Sequence, residues 1–165
     1  MVLNKTTDEH GDSYYVTDKA SEFEKYIPID ILTTPGCEVP KILSVGNWID
    51  LCSAKRVVMM EGDHELISLG IAMKLPEGYE AHILPRSSTF KKWGIIMANS
   101  MGIVDNTYCG DNDIWMFSAI ATRNIVIEKG DRIAQFRIVE IQPSIRFNQV
   151  NSLGNKDRGG FGSTG

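Results

Sequence analysis

The sequence predicts an all-β protein whose antiparallel strands form a jelly-roll-like barrel or sandwich with one short helix. Two observations predict this fold. Short runs of β-branched or alternating apolar residues recur over residues 26–141, and turns that contain glycine, proline or asparagine separate them. The 165 residues are enough for one domain with a full core.

The elements follow in chain order. Residues 1–25 are polar without an apolar period, which predicts a partly disordered or loosely packed arm. A strand is predicted at 26–32, where Pro28 suits a sheet edge, and a loop at 33–40. Strands at 95–98 and 103–105 flank a predicted hairpin turn at 99–102, and a helix is predicted around 87–93. The other predicted strands are 55–60, 65–72, 79–84, 114–122, 125–127 and 132–141.

These elements predict a β domain over residues 26–150, followed by a glycine-rich end over 151–165. The last eight residues read RGGFGSTG. Their glycines cannot hold one conformation unaided, so the segment is a flexible terminus or a lid that orders on a ligand. Arg158, the hydroxyls and the backbone N–H groups suit an anion, and Phe161 offers a ring face. The segment is not a P-loop, because G-x-x-x-x-G-K-[ST] is absent.

Composition argues against several classes of protein. A net charge of −4 disfavours a general nucleic-acid binder, although local arginines and a metal ion can still hold a triphosphate. No apolar run has membrane-spanning length, and the N-terminus lacks the apolar region of a signal peptide. Cys37, Cys52 and Cys109 are odd in number without a C-x-x-C pair, which indicates reduced thiols in the cytosol. The histidines show no zinc-ligand spacing.

Two polar segments at strand ends have both a structural and a functional interpretation. Asp105 caps a strand end, or it shares a pocket with Tyr108 if a turn at 106–107 brings them to one side. Arg86, Ser87 and Ser88 follow a strand. Either one serine caps the helix while the arginine is solvated, or the group binds an anion at the helix N-terminus.

Two further segments place charge beside apolar residues. Asp131 and Arg132 fit a turn residue and one half of an ion pair. Asp50 lies among apolar neighbours, where an unpaired carboxylate is costly, so it needs a partner or the water of a metal ion. No Ser-His-Asp or Cys-His arrangement stands out.

Taken together, these segments resemble the five motifs of the trimeric dUTPase family, in order and at family-like spacing. The matching segments are Asp50-Leu51, PRSS at 85–88, GIVDNTYCG at 102–110, GDRIAQ at 130–135, and the terminal RGGFGSTG. The match covers about residues 29–165. Asn47, Trp48 and Ile49 replace the usual small residue and glycine before Asp50, and Cys109 replaces a longer polar residue. Both departures are similar to forms in Firmicutes and their phages.

The resemblance implies a cytosolic homotrimer that uses Mg²⁺ to hydrolyse dUTP to dUMP and pyrophosphate, with active sites at subunit interfaces. Asp105 would be the general base, Gln135 would help place the water, and Asp50 would act on the metal through waters. The other implied residues bind substrate: Arg86, Ser87 and Ser88 at the phosphates, Asn99 and Gly102 at uracil, Tyr108 at deoxyribose, and Arg158, Phe161, Gly162 and Ser163 as a lid.

Two alternatives stay open at this stage. A dCTP deaminase shares the fold, although that family typically lacks the glycine-rich tail and has a phenylalanine-like residue at the position of Tyr108. A dUTPase scaffold could also bind a regulatory protein, for which the N-terminal arm would be the obvious feature.

Overall fold

The computed structural model describes residues 3–7, 13–17, 26–44 and 46–160, the first two stretches only as strands. One helix, α1 (Thr89–Trp93), lies in this part of the chain. The strands are β1 (Leu3–Thr7), β2 (Ser13–Thr17), β3 (Asp30–Thr33), β4 (Ile49–Cys52), β5 (Val57–Met59), β6 (His64–Ser68), β7 (Ile71–Lys74), β8 (Tyr79–Pro85), β9 (Ile95–Met97), β10 (Gly102–Val104), β11 (Met116–Ala121), β12 (Ile125–Ile127) and β13 (Arg132–Glu140).

All pairings between these strands are antiparallel. The largest sheet has the order β10-β8-β13-β4, and a second sheet has the order β6-β11-β9. Strands β12 and β5, β3 and β7, and β1 and β2 form two-stranded pairs. The predicted all-β jelly-roll-like fold with one short helix is confirmed.

The core is built by side chains that alternate inward along the strands. On β11, Phe117 and Ala119 are buried whereas Ile120 is exposed. Trp115 and Phe136 are also buried and meet edge to face, with ring centroids 5.3 Å apart. Burial of one large apolar side chain stabilises a fold by about 1.5–3 kcal/mol. This core is the rigid base on which the polar residues of the largest sheet stand.

The predicted strand at 65–72 is wrong in its extent, because a turn divides it into β6 and β7. Gly70 lies in that turn with φ 72°. A Cβ at this position would lie 2.5 Å from Cys37 Sγ, so the turn needs glycine both for its backbone conformation and for space. The continuous apolar pattern of the sequence concealed the turn.

The predicted hairpin at 95–105 is also wrong. β9 pairs with β11 and β10 pairs with β8, and the structure has no pairing between β9 and β10 among the residues that it describes. The turn between them instead carries the chain from one sheet to another, with Ser100 at φ 62°. Each strand satisfies its backbone groups on a longer strand whose place the core determines.

Three further differences concern the first half of the chain. A partly disordered or loosely packed arm was predicted for residues 1–25, and within it β1 and β2 form an antiparallel pair. The predicted strand at 26–32 begins only at Asp30, after Pro28. Strand β4 was not predicted, because it is four residues long and Asp50 interrupts its apolar pattern.

The predicted helix is confirmed as α1, which ends at Gly94 in the left-handed conformation, with φ 62°. Within the residues that the structure describes, no helix is long and apolar enough to cross a membrane.

Candidate functional site

Asp50 holds two arginines, one on each carboxylate oxygen. Arg86 Nε donates to Asp50 Oδ1 at 2.6 Å, and Arg132 donates from a terminal guanidinium nitrogen to Asp50 Oδ2 at 3.1 Å. Arg86 also reaches the backbone carbonyl of Arg132 at 3.4 Å. We call these three residues the arginine–aspartate cluster. Asp50 thus has the partners that its apolar surroundings required, and the ion pair expected for Arg132 is present.

Strand register explains why these residues meet. Asp50 on β4 lies opposite Gln135 on β13, and Gln135 lies opposite Leu84 on β8. Leu51 and Ala134, the neighbours on the other side of the sheet, are buried. Since side chains alternate across a strand, Asp50 and Gln135 share the outer face of the largest sheet. The Gln135 amide donates to the Pro85 carbonyl at 3.2 Å, which ties it to the end of β8.

The turn after β8 is held by Thr89 rather than by a serine cap. The Thr89 hydroxyl accepts the Arg86 N–H at 3.0 Å and donates to the Ile133 carbonyl at 2.8 Å. Ser88 is the N-cap residue of α1, yet its side chain makes no cap hydrogen bond. The predicted N-cap position of a serine is confirmed, but a side-chain cap is absent. Ser87 is exposed toward solvent.

A cleft of about 290 Å³ brings these groups together. Its lining consists of Leu43, Gly46, Asn47, Trp48, Asp50, Arg86, Ser87, Arg132 and Gln135. A larger cavity of about 600 Å³ lies between the 36–43 loop and the β4 strand, and it shares Asp50 and Arg132 with the cleft. The smaller cleft contains most of the predicted phosphate-binding residues, and so it is the better candidate for an anion site.

The arginine–aspartate cluster combines two positive charges with one negative charge. Its excess of one positive charge suits an anion, although the whole chain carries a net charge of −4. Each arginine uses only some of its five N–H donors on Asp50, so donors remain for phosphate oxygens. The part of the chain that the structure describes has no group of three or more His, Cys, Asp or Glu side chains that could hold a metal ion directly.

Asp105 lies just beyond β10 in a turn over residues 105–108, which we call the Asp105 turn. Its Oδ1 accepts the Thr107 N–H at 2.8 Å and the Thr107 hydroxyl at 2.5 Å. The Tyr108 N–H donates to the Asp105 carbonyl at 3.3 Å and closes the turn. The predicted turn at 106–107 is therefore confirmed, and the Asp105 side chain is exposed.

The hydrogen bonds from Thr107 lower the pKa of Asp105 below its usual value, with the side-chain hydroxyl as the largest cause. Hydrogen bonds to a carboxylate favour its charged form. Asp105 is consequently ionised at neutral pH, as a proton acceptor must be.

The remaining residues of this region border the Asp105 turn or the turn before it. The Tyr108 hydroxyl contacts the Ile114 carbonyl at 3.5 Å, and its ring is 42% exposed. Asn99 is exposed in the turn between β9 and β10. A Cβ at Gly102 would lie 3.2 Å from both Ile83 and Met97 side-chain atoms, so close packing of β10 explains this glycine.

The terminal segment follows the last strand, β13. Residues 141–160 have no helix or strand and are exposed, including Arg158. Phe161, Gly162 and Ser163, three of the predicted lid residues, lie outside the described residues.

The two halves of the predicted site are far apart within one chain. Val104, which precedes Asp105, lies opposite Ala81 on β8, whereas Gln135 lies opposite Leu84 on the other side of β8. Three residues along a strand and two spacings between strands separate Val104 from Gln135 by about 14 Å. Asp50 lies one strand farther away. One chain therefore does not bring Asp105 to the arginine–aspartate cluster.

Sequence reasoning missed two polar contacts at these sites. Arg132 was expected in an ion pair, but its partner Asp50 is 82 residues away in sequence and no local pattern pointed to it. Thr107 was not singled out, although its position two residues after an aspartate is a signal for a local turn.

Two cysteines lie near the predicted site residues. Cys109 is an exposed free thiol. Burial raises the pKa of the Cys52 thiol, which lies beside the arginine–aspartate cluster.

Comparison with known proteins adds independent evidence. The family model described as dUTPase matches residues 46–165. The chain is 55% identical over 120 residues to the SPbeta prophage-derived deoxyuridine 5'-triphosphate nucleotidohydrolase of Bacillus subtilis, which covers 73% of this chain and 84% of that protein. It is 40% identical over 125 residues to the deoxyuridine 5'-triphosphate nucleotidohydrolase of Hydrogenobaculum, which covers 74% of this chain and 85% of that protein.

Solved structures share the fold. The dUTPase of phage phi11 of S. aureus superimposes with a TM-score of 0.67 at 19% identity, over 77% of this chain and 99% of that chain. The dUTPase from Streptococcus mutans has a TM-score of 0.63 at 20% identity, over 70% of this chain and 98% of that chain. The phi11 structure is described as coordinating a structural Mg(II) ion.

Proposed function

Because this chain belongs to the dUTPase family, we propose that it hydrolyses dUTP to dUMP and pyrophosphate by attack of water on the α-phosphorus. The observation that carries the proposal is the arginine–aspartate cluster, a cleft of net positive charge on an otherwise acidic protein. Such a cleft suits a polyanionic ligand. The Asp105 turn supplies what the cleft lacks, an exposed carboxylate that is ionised at neutral pH.

The chemistry divides between these two regions. The oxygen of the water bonds to the α-phosphorus while Asp105 takes a proton from that water. The bond from the α-phosphorus to the oxygen that bridges to the β-phosphorus breaks. Pyrophosphate leaves with the electron pair. Arg86, Ser87, Ser88 and Gln135 hold the phosphates, and Gln135 also helps to place the water. In phosphoryl transfer such positioning and charge neutralisation supply most of the catalysis.

The proposed nucleoside-binding residues lie outside the arginine–aspartate cluster. Asn99 and the backbone near Gly102 read the edge of uracil. Tyr108 packs on the deoxyribose and leaves no room for a 2′-hydroxyl. The exposed ring of Tyr108 supports this role. Arg158 reaches the γ-phosphate, and Phe161, Gly162 and Ser163 close over the substrate.

The cofactor in this proposal is Mg²⁺, which when bound neutralises charge on the phosphate oxygens. Asp50 fits a water-mediated role, because a carboxylate has about four lone-pair sites and the two arginines occupy only two of them. Mg²⁺ commonly keeps several waters and takes substrate phosphates as ligands. A site without a cage of protein ligands is compatible with this ion.

We further propose that the enzyme is a homotrimer whose active sites lie between subunits. The separation of about 14 Å between Val104 and Gln135 supports this assembly, because Asp105 and Gln135 are both proposed to act on the attacking water. The terminal segment supports it as well. Its exposed apolar side chains suit contact with another subunit: Ile141, Ile145, Phe147, Val150 and Leu153.

A pyrophosphate-release assay with dUTP, UTP, dCTP and dTTP, each with and without Mg²⁺, tests the activity. Turnover should be greatest with dUTP and Mg²⁺. Equal turnover of UTP would refute the role of Tyr108, and absence of dUTP turnover would refute the proposed function. Release of ammonia from dCTP would instead support the deaminase alternative.

Mixing two inactive variants tests the shared site. Asp105→Asn retains the tail, and deletion of residues 158–165 retains Asp105. Refolded together, random mixing gives about three mixed trimers in four, each with one complete site in three, so about a quarter of wild-type activity should return. If mixed trimers stay inactive, Asp105 and the tail act within one chain and the shared-site proposal is wrong.

The proposed location is the cytosol, which the free thiols of Cys37, Cys52 and Cys109 support. A phage 80alpha dUTPase with this fold is described as controlling transfer of virulence genes. A regulatory protein partner is not part of this proposal, because no feature of the described residues favours one.

A further inference from the structure

The Asp105 carboxylate is held asymmetrically by a single neighbour. Both donors of Thr107, the N–H at 2.8 Å and the hydroxyl at 2.5 Å, converge on Oδ1. The second oxygen, Oδ2, receives no hydrogen bond from the part of the chain that the structure describes. One half of the carboxylate is therefore occupied and the other half is open to solvent.

The hydroxyl contact exceeds what a local turn needs. An aspartate closes such a turn with only the backbone N–H two residues later. The last torsion of an aspartate side chain is otherwise broad, so one bond leaves the plane of the carboxylate poorly defined. A second donor on the same oxygen restricts that torsion.

Charged groups on the neighbouring elements are engaged elsewhere or face solvent. On β8, Glu80 pairs with His82 at 2.6 Å. In the loop after the turn, Asp113 accepts the Gly110 N–H at 2.7 Å, and Asp111 is exposed. The pKa of Asp105 is lowered mainly by the Thr107 hydroxyl and then by the Thr107 N–H, without a contribution from any of these charges. The nearby Tyr108 N–H adds a smaller effect, although its hydrogen bond is to the Asp105 backbone carbonyl.

We propose that Thr107 is a positioning residue for the general base, whose hydroxyl orients the Asp105 carboxylate so that Oδ2 receives the proton of the attacking water. This inference rests on the proposed function, because it requires Asp105 to be the base. The balance of the step is unchanged: the water oxygen bonds to the α-phosphorus, its proton moves to Oδ2, and pyrophosphate leaves.

The test compares Thr107→Val, which keeps the shape and the N–H but removes the hydroxyl, with Thr107→Ser, which keeps both donors. Thr33→Val is the control, since Thr33 lies on β3, which pairs with β7 and is not a strand of the largest sheet. Thr107→Val should lower kcat for dUTP about 3- to 10-fold, the size of one hydrogen bond, with little change in KM. It should also move the acid limb of kcat/KM to higher pH, because the pKa of Asp105 returns toward its usual value.

Thr107→Ser should restore both kcat and the pH profile, and melting temperatures should stay equal because Thr107 is exposed. If the wild-type enzyme hydrolyses dUTP and Thr107→Val has the same kcat, this inference is wrong whatever the pH of the acid limb. The proposed function would still stand. A lowered kcat that serine fails to restore would overturn this inference too. Absence of dUTP turnover by the wild-type enzyme would overturn the proposed function, and this inference with it.

Discussion

The arginine–aspartate cluster and the Asp105 turn each depend on one carboxylate, but they hold it by contacts of opposite range. Asp50 meets Arg86 across 36 residues of sequence and Arg132 across 82. Asp105 meets Thr107 across two residues. The first carboxylate is half-buried on β4 and meets arginines that follow β8 and begin β13, whereas the second is exposed just after the short strand β10.

This difference separates stability from chemistry. Removal of the Asp50 carboxylate disturbs interactions among three strands, so it should affect both folding and activity. Removal of the Asp105 carboxylate disturbs one exposed turn, so it should affect activity alone. The terminal segment should contribute least to stability, because residues 141–160 have neither helix nor strand. Four predictions test this ordering.

The largest effect is expected from Asp105→Asn, which keeps the shape of the turn and removes the base. Its kcat should fall by about 10²–10⁴-fold, the usual contribution of general base catalysis. The melting temperature and nucleotide binding should stay close to those of the wild type, since the side chain is exposed. Asp30→Asn, an exposed change on β3, is the matched control. A variant with near-normal kcat would show that Asp105 is not the base.

Deletion of residues 158–165 should come next. Misplaced substrate groups can cost about 10²-fold in rate, so activity should fall by roughly that factor. The melting temperature should hardly change, because the segment is too rich in glycine to be core. Calorimetry of the deletion beside Lys156→Ala checks this expectation. A large drop in melting temperature would mean that the segment is structural.

A smaller loss of activity, but a measurable loss of stability, is expected from Asp50→Asn. The change leaves two arginines side by side without their shared charge, and breaking a half-buried pair of this kind costs about 1–3 kcal/mol. Urea unfolding measures the loss. Arg56→Gln breaks the exposed pair with Glu128 and should cost less than about 1 kcal/mol. Equal losses in the two variants would refute the special place of the cluster.

The smallest effect concerns pH. The pKa of Asp105 is lowered, so the ionised form persists to a lower pH than in an ordinary aspartate. The stabilisation that Thr107 supplies is present at neutral pH and is lost only as pH falls through the lowered pKa. Accordingly, kcat/KM for dUTP should show its Asp105 limb below the usual aspartate value of about 3.9. Initial rates measured at each pH, in assays short enough to avoid acid inactivation, define this limb. A limb above that value would contradict the hydrogen-bonded geometry.

Sequence reasoning recovered most of the strands because alternation of apolar residues is a local signal. It extended one strand through Gly70, since the apolar pattern continues across the turn. It also paired β9 with β10, although each of them pairs with a different strand. Both predictions failed because long-range packing decides these features, and a window of neighbouring residues carries no information about it.

The candidate site shows the same division. Short motifs, each contiguous in sequence, led to the prediction of the site residues Asp50, Arg86, Asp105, Tyr108 and Gln135. The partnership of Asp50 with two arginines was not recognised, because strand register decides which side chains face each other. A change of register by one residue would send Asp50 to the buried face.

By itself, then, the sequence determined the all-β class, the short helix, the glycine-rich terminus and the residue types available for chemistry, since all of these depend on local composition and period. Tertiary structure alone decided that Asp50 joins Arg86 to Arg132, and that Asp105 follows the strand at the opposite edge of the sheet from Asp50. The physical reason is that pairing energies between distant strands depend on the whole core, which no short stretch of residues encodes.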